Sequence, residues 1–367
     1  MPLELRFLPA SEGDAIWIRW GDALDHQLLI DMGKGTDGKA IRKRIEALEE
    51  AKRKFDLLVI THIDGDHIGG VLTGVAEAPA LEGLSFADIW FNGWTHLRGG
   101  TVPKPGQGRL EPLGAAQGER LTSWLTGPWN EAFGRGPVRR ADPLQTIPVA
   151  DGLTLTVLGP TAERLQQLKA TWDIEVEIAI RRGTLAGPVG RLERLGRQRP
   201  ARPTLATLAD LEALANRYSP LDSSPSNGTS ITLLLEWGGR RVLLTGDAFA
   251  PDVVEGVGLL DGPAPAAIDV FKLPHHGSEK NVTDALVRAV ACPAWVFSTN
   301  GNTHYHPDAA AVARVVRQKV DPRPALLFNV PSEFNGWWSD PDWKAGFDYS
   351  TETGTDEDGL TLSMQRR

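Results

Sequence analysis

The chain has 367 residues, of which 41% are hydrophobic and 23% are charged, and its formal net charge is −8 at pH 7. This composition is typical of a globular protein with a proper core, and the negative charge argues against nonspecific nucleic-acid binding over the whole surface. The single cysteine, Cys292, excludes an intrachain disulfide, and no apolar run approaches the roughly 20 residues of a membrane-spanning helix. The first residues lack the apolar segment of a signal peptide, so we expect a cytoplasmic protein.

The N-terminal part of the sequence alternates between strand and helix patterns. Short apolar runs predict strands at 3–8, 15–20, 26–31 and 55–60. Helices are predicted at 39–54, where the apolar residues have helical spacing, and at 68–76. The polar residues 61–67 form a loop between the fourth strand and the second helix.

Two segments farther along the chain have unusual composition. Residues 99–148 are dense in Gly and Pro, which predicts an irregular segment with one helix near 118–125. Residues 161–226 are mostly helical in propensity. The remaining strands are predicted at 153–158, 231–237, 241–245, 269–273 and 294–298, with a hairpin turn at Gly238-Gly239 and a helix at 283–290.

Positive charge is concentrated in one short stretch, although the chain as a whole is acidic. Between Arg181 and Arg202 there are seven arginines and one acid, Glu193. The arginines are those at positions 181, 182, 191, 194, 197, 199 and 202. Such a strip can hold phosphates, but an isolated charge run is more commonly a solvated loop.

Four potential metal ligands lie within six positions, directly after the predicted strand at 55–60. They are His62, Asp64, Asp66 and His67. Carboxylates packed this densely repel one another unless a cation compensates them, so the pattern predicts a metal site, with room for two cations that share a bridging water. The alternative is an Asp-rich turn whose histidines are satisfied by hydrogen bonds.

This loop resembles the metal loop of the metallo-β-lactamase superfamily. Asp64 stands where the superfamily usually has a histidine, and this departure is similar to the subgroup of the ComEC hydrolase domain and the phosphorylcholine esterases. Further segments resemble that subgroup in the same order: Gly13-Asp14-Ala15, Leu29-Ile30-Asp31, Asn227 to Ser230, Leu243 to Asp247, Leu273 to Ser278, and Asn302 to Pro307.

The resemblance implies an α/β (α+β) fold, a four-layer αββα sandwich in one hydrolase domain over residues 1–367. The metal loop would lie at the edge between two mixed sheets. The stretch 161–226 would be a helical, Arg-rich insertion that caps the site, and 99–148 an irregular segment of the same domain.

The resemblance also implies a set of site residues. The metal ligands would be His62, Asp64, Asp66, His67, Asp247 and His276, with Asp247 touching both of two divalent ions, Zn²⁺ or Mn²⁺. The superfamily usually has a further metal-binding histidine, in its third sequence motif, before the strand that ends at Asp247. No histidine lies between His96 and His275, so this one is missing, and Asn227 to Ser230 takes its place. Asp31 would brace the loop.

We expect catalytic roles for Asp66, His275 and His306. His276 is preferred over His275 as the metal ligand, but the choice is close to even. His306 can contact a phosphate, donate a proton or simply face solvent. His96 and His304 are expected at the surface or rim. Substrate contacts are expected from Asn227, Ser230, Arg194, Arg197 and Arg199.

Three functions compete. The favoured one is a phosphodiesterase or nuclease that attacks with a metal-bridging hydroxide, acts on a phosphodiester such as nucleic acid and has no membrane partner. The second is hydrolysis of a small carboxylic ester, lactone or thioester. The third is a non-catalytic metal-binding interaction protein. If the arginine strip lines the entrance, replacing Arg194, Arg197 and Arg199 weakens oligonucleotide binding and flattens its salt dependence.

Overall fold

The protein has two β-sheets, and the apolar side chains at alternate positions of their strands pack into one shared interior. The computed structural model describes residues 2–101, 121–122, 124–125, 127–181 (for 173–181 the backbone only), 198–262, 264–318 and 323–367. Its strands are β1 (Pro2–Phe7), β2 (Ile16–Trp20), β3 (His26–Ile30), β4 (Lys54–Phe55), β5 (Leu57–Val59), β6 (Ser85–Phe86), β7 (Ile89–Trp90), β8 (Thr146–Pro148), β9 (Thr154–Gly159), β10 (Thr232–Trp237), β11 (Arg240–Leu244), β12 (Ala266–Ala267), β13 (Val270–Lys272), β14 (Val290–Ala291), β15 (Ala294–Phe297), β16 (Ala325–Phe328), β17 (Ser350–Thr353) and β18 (Leu360–Gln365).

The helices of the described residues lie between these strands. They are α1 (Gly35–Glu46), α2 (Ile68–Val71, continued by a π-helical turn over Leu72–Ala76), α3 (Trp94–Leu97), α4 (Ala162–Arg181), α5 (Leu208–Ala215), α6 (Ala250–Asp261), α7 (Asp284–Arg288), α8 (Ala309–Val316), α9 (Glu333–Gly336) and α10 (Pro341–Phe347). None of them, within the described part of the chain, has the length and apolar composition to cross a lipid bilayer.

The first sheet has the order β18-β1-β2-β3-β5-β7, and the second β17-β16-β15-β13-β11-β10-β9-β8. In the first sheet β3, β5 and β7 are parallel, and in the second β11, β13, β15, β16 and β17 are parallel. Both sheets are therefore mixed, and each gathers the carboxyl ends of parallel strands along one edge. The last strand, β18, pairs with β1 and so joins the C-terminus to the first sheet.

Side chains on the two faces of each strand belong to different cores. In β10, Leu235 packs between the sheets, whereas its neighbour Leu234 packs under the helices on the outer face of the second sheet. In β3, Leu28 faces the interior and Leu29 packs with Ile41 of α1 on the outer face of the first sheet. Because strand side chains alternate with a period of two, this pattern makes four layers. The predicted αββα sandwich is confirmed.

Most predicted elements are found within one to three residues of their expected bounds, but the helix predicted at 39–54 is wrong at both ends. It spans Gly35–Glu46, and Lys54–Phe55 is a strand. The helix begins earlier because Asp37 accepts a hydrogen bond from the Lys34 backbone amide at 2.9 Å. It ends earlier because the Arg53 side chain donates to the carbonyl oxygen of Glu46 at 2.8 Å and satisfies that helix terminus.

The two atypical segments are only partly described. In the first, residues 121, 122 and 124 are helical, whereas 118–120 lie outside the described residues. The second contains the helices α4 and α5, and residues 182–197 lie outside the described part. Its end, 216–226, has no helix, and it contributes to the candidate site instead of only covering it.

Candidate metal centre

The site lies where parallel strands of both sheets end. The loop that begins at Thr61 follows β5, Asp247 follows β11, and His275 and His276 follow β13. Carboxyl ends of parallel strands meet at one edge of a sheet, so the fold brings these distant parts of the chain together. The double-histidine turn is held in an unusual backbone conformation, with φ of 47° at His275 and 56° at His276.

The carboxylate of Asp247 lies between two imidazoles. Its Oδ1 is 3.3 Å from Nε2 of His67, and its Oδ2 is 3.4 Å from Nε2 of His276. The ring of His62 lies 4.2 Å from that of His67. All four side chains are buried. Candidate ligand atoms of Asp14, His67, Asp247 and His276 lie within 4.8 Å of one another.

The two loop carboxylates flank this cluster. Asp64 Oδ2 is 3.6 Å from Nε2 of His62, and Asp66 Oδ2 is 3.7 Å from Nε2 of His276. The structure thus brings together all six side chains that the sequence singled out as ligands. Gly13 allows the close approach of this loop, because a Cβ at that position would lie 1.7 Å from the Asp66 carbonyl oxygen.

Hydrogen bonds fix each histidine with Nε2 directed at the centre. Nδ1 of His67 donates to Asp31 at 2.8 Å, and Nδ1 of His276 donates to the Ser298 carbonyl at 3.0 Å. Nδ1 of His62 is 3.0 Å from Thr61 Oγ1, which in turn donates to Asp31. This arrangement leaves lone pairs on the Nε2 atoms.

Several polar atoms at the centre have no hydrogen-bond partner. They are Nε2 of His62, His67 and His276, and Oδ1 of Asp247. A buried polar atom without a partner costs free energy, typically about 1–3 kcal/mol. Imidazole nitrogens and carboxylates are also the ligands that zinc and related divalent ions accept. The donor set therefore fits a bound divalent cation.

The electrostatics of the cluster are those of carboxylates and imidazoles that stabilise each other's charge. Burial alone acts to raise the pKa of Asp247, but His276, His67 and His275 hold that pKa well below its usual range. Burial acts to lower the pKa of His67, yet Asp247 and Asp31 raise it well above its ordinary value. A metal ligand must be a neutral imidazole, so binding of a cation here would release protons.

Asp14 and Lys272 form a buried ion pair that sequence reasoning missed. Lys272 Nζ donates to Asp14 and, at 3.1 Å, to the carbonyl oxygen of Gly246, and both side chains are almost fully buried. Asp14 Oδ1 also lies 3.7 Å from Nδ1 of His276. The signal in the sequence was the Gly13-Asp14-Ala15 segment, but nothing marked Lys272 as its partner.

His275 is oriented by Asp222, a second residue that sequence reasoning missed. Nδ1 of His275 lies 3.1 Å from Asp222 Oδ2, and Nε2 lies 3.9 Å from Asp247 Oδ2. Burial acts to lower the pKa of His275, but Asp247 and Asp222 raise it to about 9. Asp222 belongs to the 161–226 stretch and had no signal beyond its closeness to Asn227.

Asn227 and Ser230, the two expected substrate-binding residues before β10, form hydrogen bonds with other residues of the site. Ser230 is fully buried, and its hydroxyl accepts a hydrogen bond from the Asp247 backbone amide at 3.0 Å. Asn227 donates from Nδ2 to Asp222 at 2.7 Å. These placements favour positioning of the ligand-bearing segments over direct contact with substrate.

The remaining predicted residues are placed as follows. His306 is buried and does not face solvent; its ring is 5.6 Å from that of His275. His96 was expected at the surface and is instead buried, with Nε2 3.0 Å from the Arg135 carbonyl. Arg199 pairs with Glu333, whereas Arg194 and Arg197 lie outside the described residues.

A cavity of about 240 Å³ adjoins the His275–Asp222 pair. Asp222 forms part of its wall together with Phe249, which follows Asp247 by two positions, and the exposed Lys280. A larger cavity of about 870 Å³ contains none of the candidate ligands in its lining.

One comparison with known protein families gives a match over part of the chain. The sequence model of the metallo-beta-lactamase superfamily matches residues 11–159, which include the loop with His62 to His67. No curated protein sequence matches the chain.

The solved structures that match this protein in a structural comparison have low sequence identity to it. A metal-dependent hydrolase from Parabacteroides distasonis is 10% identical, with a TM-score of 0.39, and the match covers 89% of this chain and 93% of that one. Zn²⁺-bound PqqB from Methylobacterium extorquens is 12% identical, with a TM-score of 0.41 and coverage of 99% of both chains. The diiron β-hydroxylase CmlA from Streptomyces venezuelae is 12% identical, with a TM-score of 0.41 and coverage of 99% of this chain and 54% of that one.

The family model covers the part of the chain that contains the metal loop, and the His and Asp side chains that converge there form a candidate site for a divalent metal.

Proposed function

We propose that the protein is a phosphodiesterase or nuclease that holds two divalent ions, Zn²⁺ or Mn²⁺. The observation that carries this proposal is the charge of the centre. Its carboxylates are those of Asp14, Asp31, Asp64, Asp66 and Asp247. Among the described lysines and arginines, only Lys272 forms an ion pair with any of them. Imidazoles are neutral when they bind a metal, so the other four carboxylates would then leave four negative charges, which two divalent cations balance.

The positions of the ligands suggest how two ions divide them. His62 lies beside Asp64, and His276 lies beside Asp66. His67 and His276 face the two different carboxylate oxygens of Asp247. The first ion would be held by His62, Asp64 and Asp247. The second would be held by Asp66, His67, His276 and the shared Asp247. Ions bound in this way supply Lewis acidity and lower the pKa of coordinated water.

Three features favour a phosphodiester over a carboxylic ester or lactone. Asp64 replaces the usual histidine and makes the centre richer in oxygen ligands, which suits Mn²⁺ as well as Zn²⁺. That replacement also resembles the subgroup of the ComEC hydrolase domain. Lys280 is exposed in the cavity beside Asp222, forms no ion pair with a described carboxylate, and can bind the charge of a phosphate.

The protein's own residues would position the substrate and hold the transferred proton. Asp222 holds Nδ1 of His275, so Nε2 is the atom that faces the reacting region beside Asp247. This geometry makes His275 the best-placed side chain to protonate the leaving group. His306, next to it, forms a second wall of the same region.

A substrate screen tests the proposal. Protein stripped by a chelator and reloaded with Mn²⁺ or Zn²⁺ is assayed on bis-p-nitrophenyl phosphate, on single-stranded and duplex oligonucleotides and on a lactone. We expect hydrolysis of the phosphodiesters that depends on the added ion. Hydrolysis of the lactone without any phosphodiester cleavage would establish the carboxylic ester alternative, and no hydrolysis of any substrate with both ions bound would favour a non-catalytic role.

A further inference from the structure

A second cavity has none of the candidate metal ligands in its lining. Its volume is about 870 Å³, and it opens between α3, the 132–145 segment and the first half of α4. Each of the three elements contributes one cation to its lining: Arg98 directly after α3, Arg139 from the segment, and Lys169 from α4. Volumes of this order are typical of sites for small molecules and short segments of polymers.

These three cations are available to a ligand. None of them forms an ion pair within the described part of the chain, and all three are exposed. The described lining residues include no Asp or Glu. In a chain with a net charge of −8, such a cavity is a local region of positive potential. The amides of Gln145 and Gln166 add hydrogen-bond donors to the same wall.

The cavity also offers an aromatic side chain. Phe133 forms part of its lining and is half-buried, with its ring 4.9 Å from Trp90 in an edge-to-face contact. Proteins that bind single-stranded nucleic acid commonly combine cations along the backbone with an aromatic ring for a base. The cavity therefore has both kinds of contact.

The topology places the cavity next to the metal centre. Strands β5 and β7 are neighbours, and the Ile60 amide donates to the Trp90 carbonyl at 2.9 Å. His62 follows β5, and Asn92 follows β7 at the same edge. Asn92 holds the wall of the cavity through two hydrogen bonds with the backbone of Val138, of 2.7 and 2.9 Å. A single-stranded nucleic acid that is bound at the metal centre can thus extend into the cavity.

We infer that this cavity binds the phosphates of a single-stranded nucleic acid on one side of the scissile bond, through Arg98, Arg139 and Lys169. The inference rests on the proposed function and specifies its substrate class. A single strand exposes both its phosphates and its bases, so it can contact the three cations and the ring of Phe133 together. The cations would contribute to substrate affinity and leave the chemistry at the metal centre unchanged.

The test compares two triple variants with equal loss of charge. The first is Arg98→Gln, Arg139→Gln and Lys169→Gln. The control is Lys39→Gln, Lys43→Gln and Arg288→Gln, which removes three exposed cations that form no ion pair in the described structure and lie outside the cavity. Binding of a labelled phosphorothioate single strand, which resists hydrolysis, is followed by fluorescence anisotropy on metal-loaded protein over a range of salt concentrations.

We expect the cavity variant to bind about tenfold more weakly at low salt, and the slope of log affinity against log salt to fall by about 2, since each lost phosphate contact removes about 0.7. The control variant should behave like the wild type. Metal content and the thermal melting of each variant check the fold, and the three single variants replace the triple if it unfolds.

Two outcomes would overturn the inference: a cavity variant that binds like the control, or an equal loss of affinity for the matching duplex. Hydrolysis of bis-p-nitrophenyl phosphate, which is too small to reach the cavity, reports on the proposed function separately. If the wild type does not hydrolyse that diester, the proposed function fails, whereas the binding measurement still decides whether the cavity holds a single strand.

Discussion

Asp31 and His67 form a hydrogen bond of 2.8 Å between two side chains with no exposure to solvent. The bond fixes the His67 ring so that Nε2 lies 3.3 Å from Asp247. Asp31 itself has a φ of 53°, a left-handed conformation that Asn tolerates better than most residues. A change of Asp31 to Asn therefore removes the charge and keeps the backbone.

We expect Asp31→Asn to weaken metal binding by about 10- to 100-fold, the range found when partners of metal-bound histidines are removed. Competition with a chelator of known affinity measures the change. The matched control is Asp56→Asn, which disrupts a carboxylate–histidine pair with His26 at 3.3 Å outside the centre. Equal affinities in the wild type and in Asp31→Asn would show that Asp31 does not orient a ligand.

The second prediction concerns Asp247, whose two oxygens face different histidines. If it touches both ions, Asp247→Asn should lose both, whereas Asp64→Asn should keep the ion on the His276 side. Elemental analysis of the purified variants counts the ions. Activity of Asp247→Asn should fall by more than the about 100-fold expected for a partner outside the coordination sphere. A variant that retains both ions and its turnover would refute the bridging role.

The third prediction is that chelation lowers the stability of the fold. Without cations, the buried polar atoms that have no hydrogen-bond partner, Nε2 of His62, His67 and His276 and Oδ1 of Asp247, also lack a metal partner. Adding an ion at 100 times its dissociation constant should raise the free energy of unfolding by about 2.7 kcal/mol per site. Denaturant unfolding with and without a chelator measures this difference. Asp247→Asn serves as the control, and it should show little response to added metal.

The fourth prediction follows from the burial of His96. Burial lowers the pKa of His96 to about 4. Its Nδ1 accepts a hydrogen bond from the Gly93 amide at 3.2 Å, so a proton on that nitrogen would break the contact. The unfolded chain, with a pKa near 6.5, binds the proton first as the pH falls. Stability due to the neutral ring is therefore complete above about pH 6.5 and is lost towards pH 4.

By pH 5 this loss should amount to about 2 kcal/mol. Unfolding in denaturant at pH 7 and pH 5, with a chelator present, measures it for the wild type and for His96→Gln. The variant should have a smaller difference between the two pH values than the wild type, whatever its absolute stability. An unchanged pH dependence in His96→Gln would contradict the prediction.

The sequence predicted the layers of the fold, and it singled out side chains that the fold brings together, because part of this information is local. Period-two alternation separates Leu234 from Leu235, and the cluster from His62 to His67 is contiguous in the chain. Asp222 and Lys272 were missed for the opposite reason. Each acquires its role only from a partner far along the chain, His275 for the first and Asp14 for the second.

The same limit explains why the burial of His96 and the cations of the cavity were not predicted. The sequence around His96 has no pattern that marks it as buried, because its acceptor is the backbone of Arg135 in another segment. Arg98, Arg139 and Lys169 are far apart in the chain and form a cluster only through the fold, whereas the arginine strip is visible as a run of letters.

The last prediction concerns the arginine strip and compares Arg199, which has an ion-pair partner, with Arg194 and Arg197. Arg199 pairs with Glu333, both side chains being largely exposed, whereas Arg194 and Arg197 lie outside the described residues. An ion pair of this kind contributes little to stability, but Glu333 cancels the charge that a polyanion would feel. We expect Arg199→Ala to change oligonucleotide affinity less than about twofold, and the Arg194→Ala, Arg197→Ala double variant to lower it and to flatten its salt dependence.

Glu333→Gln provides the decisive comparison, because it releases the charge of Arg199 without removing the arginine. If the strip faces the substrate, this variant should bind an oligonucleotide more tightly than the wild type, and adding Arg199→Ala should abolish the gain. Hydrolysis of a small phosphodiester should stay constant throughout, since the metal centre is untouched. Equal losses on both substrates in the double variant would indicate that these arginines support folding, and no change in any variant would make the strip a solvated loop.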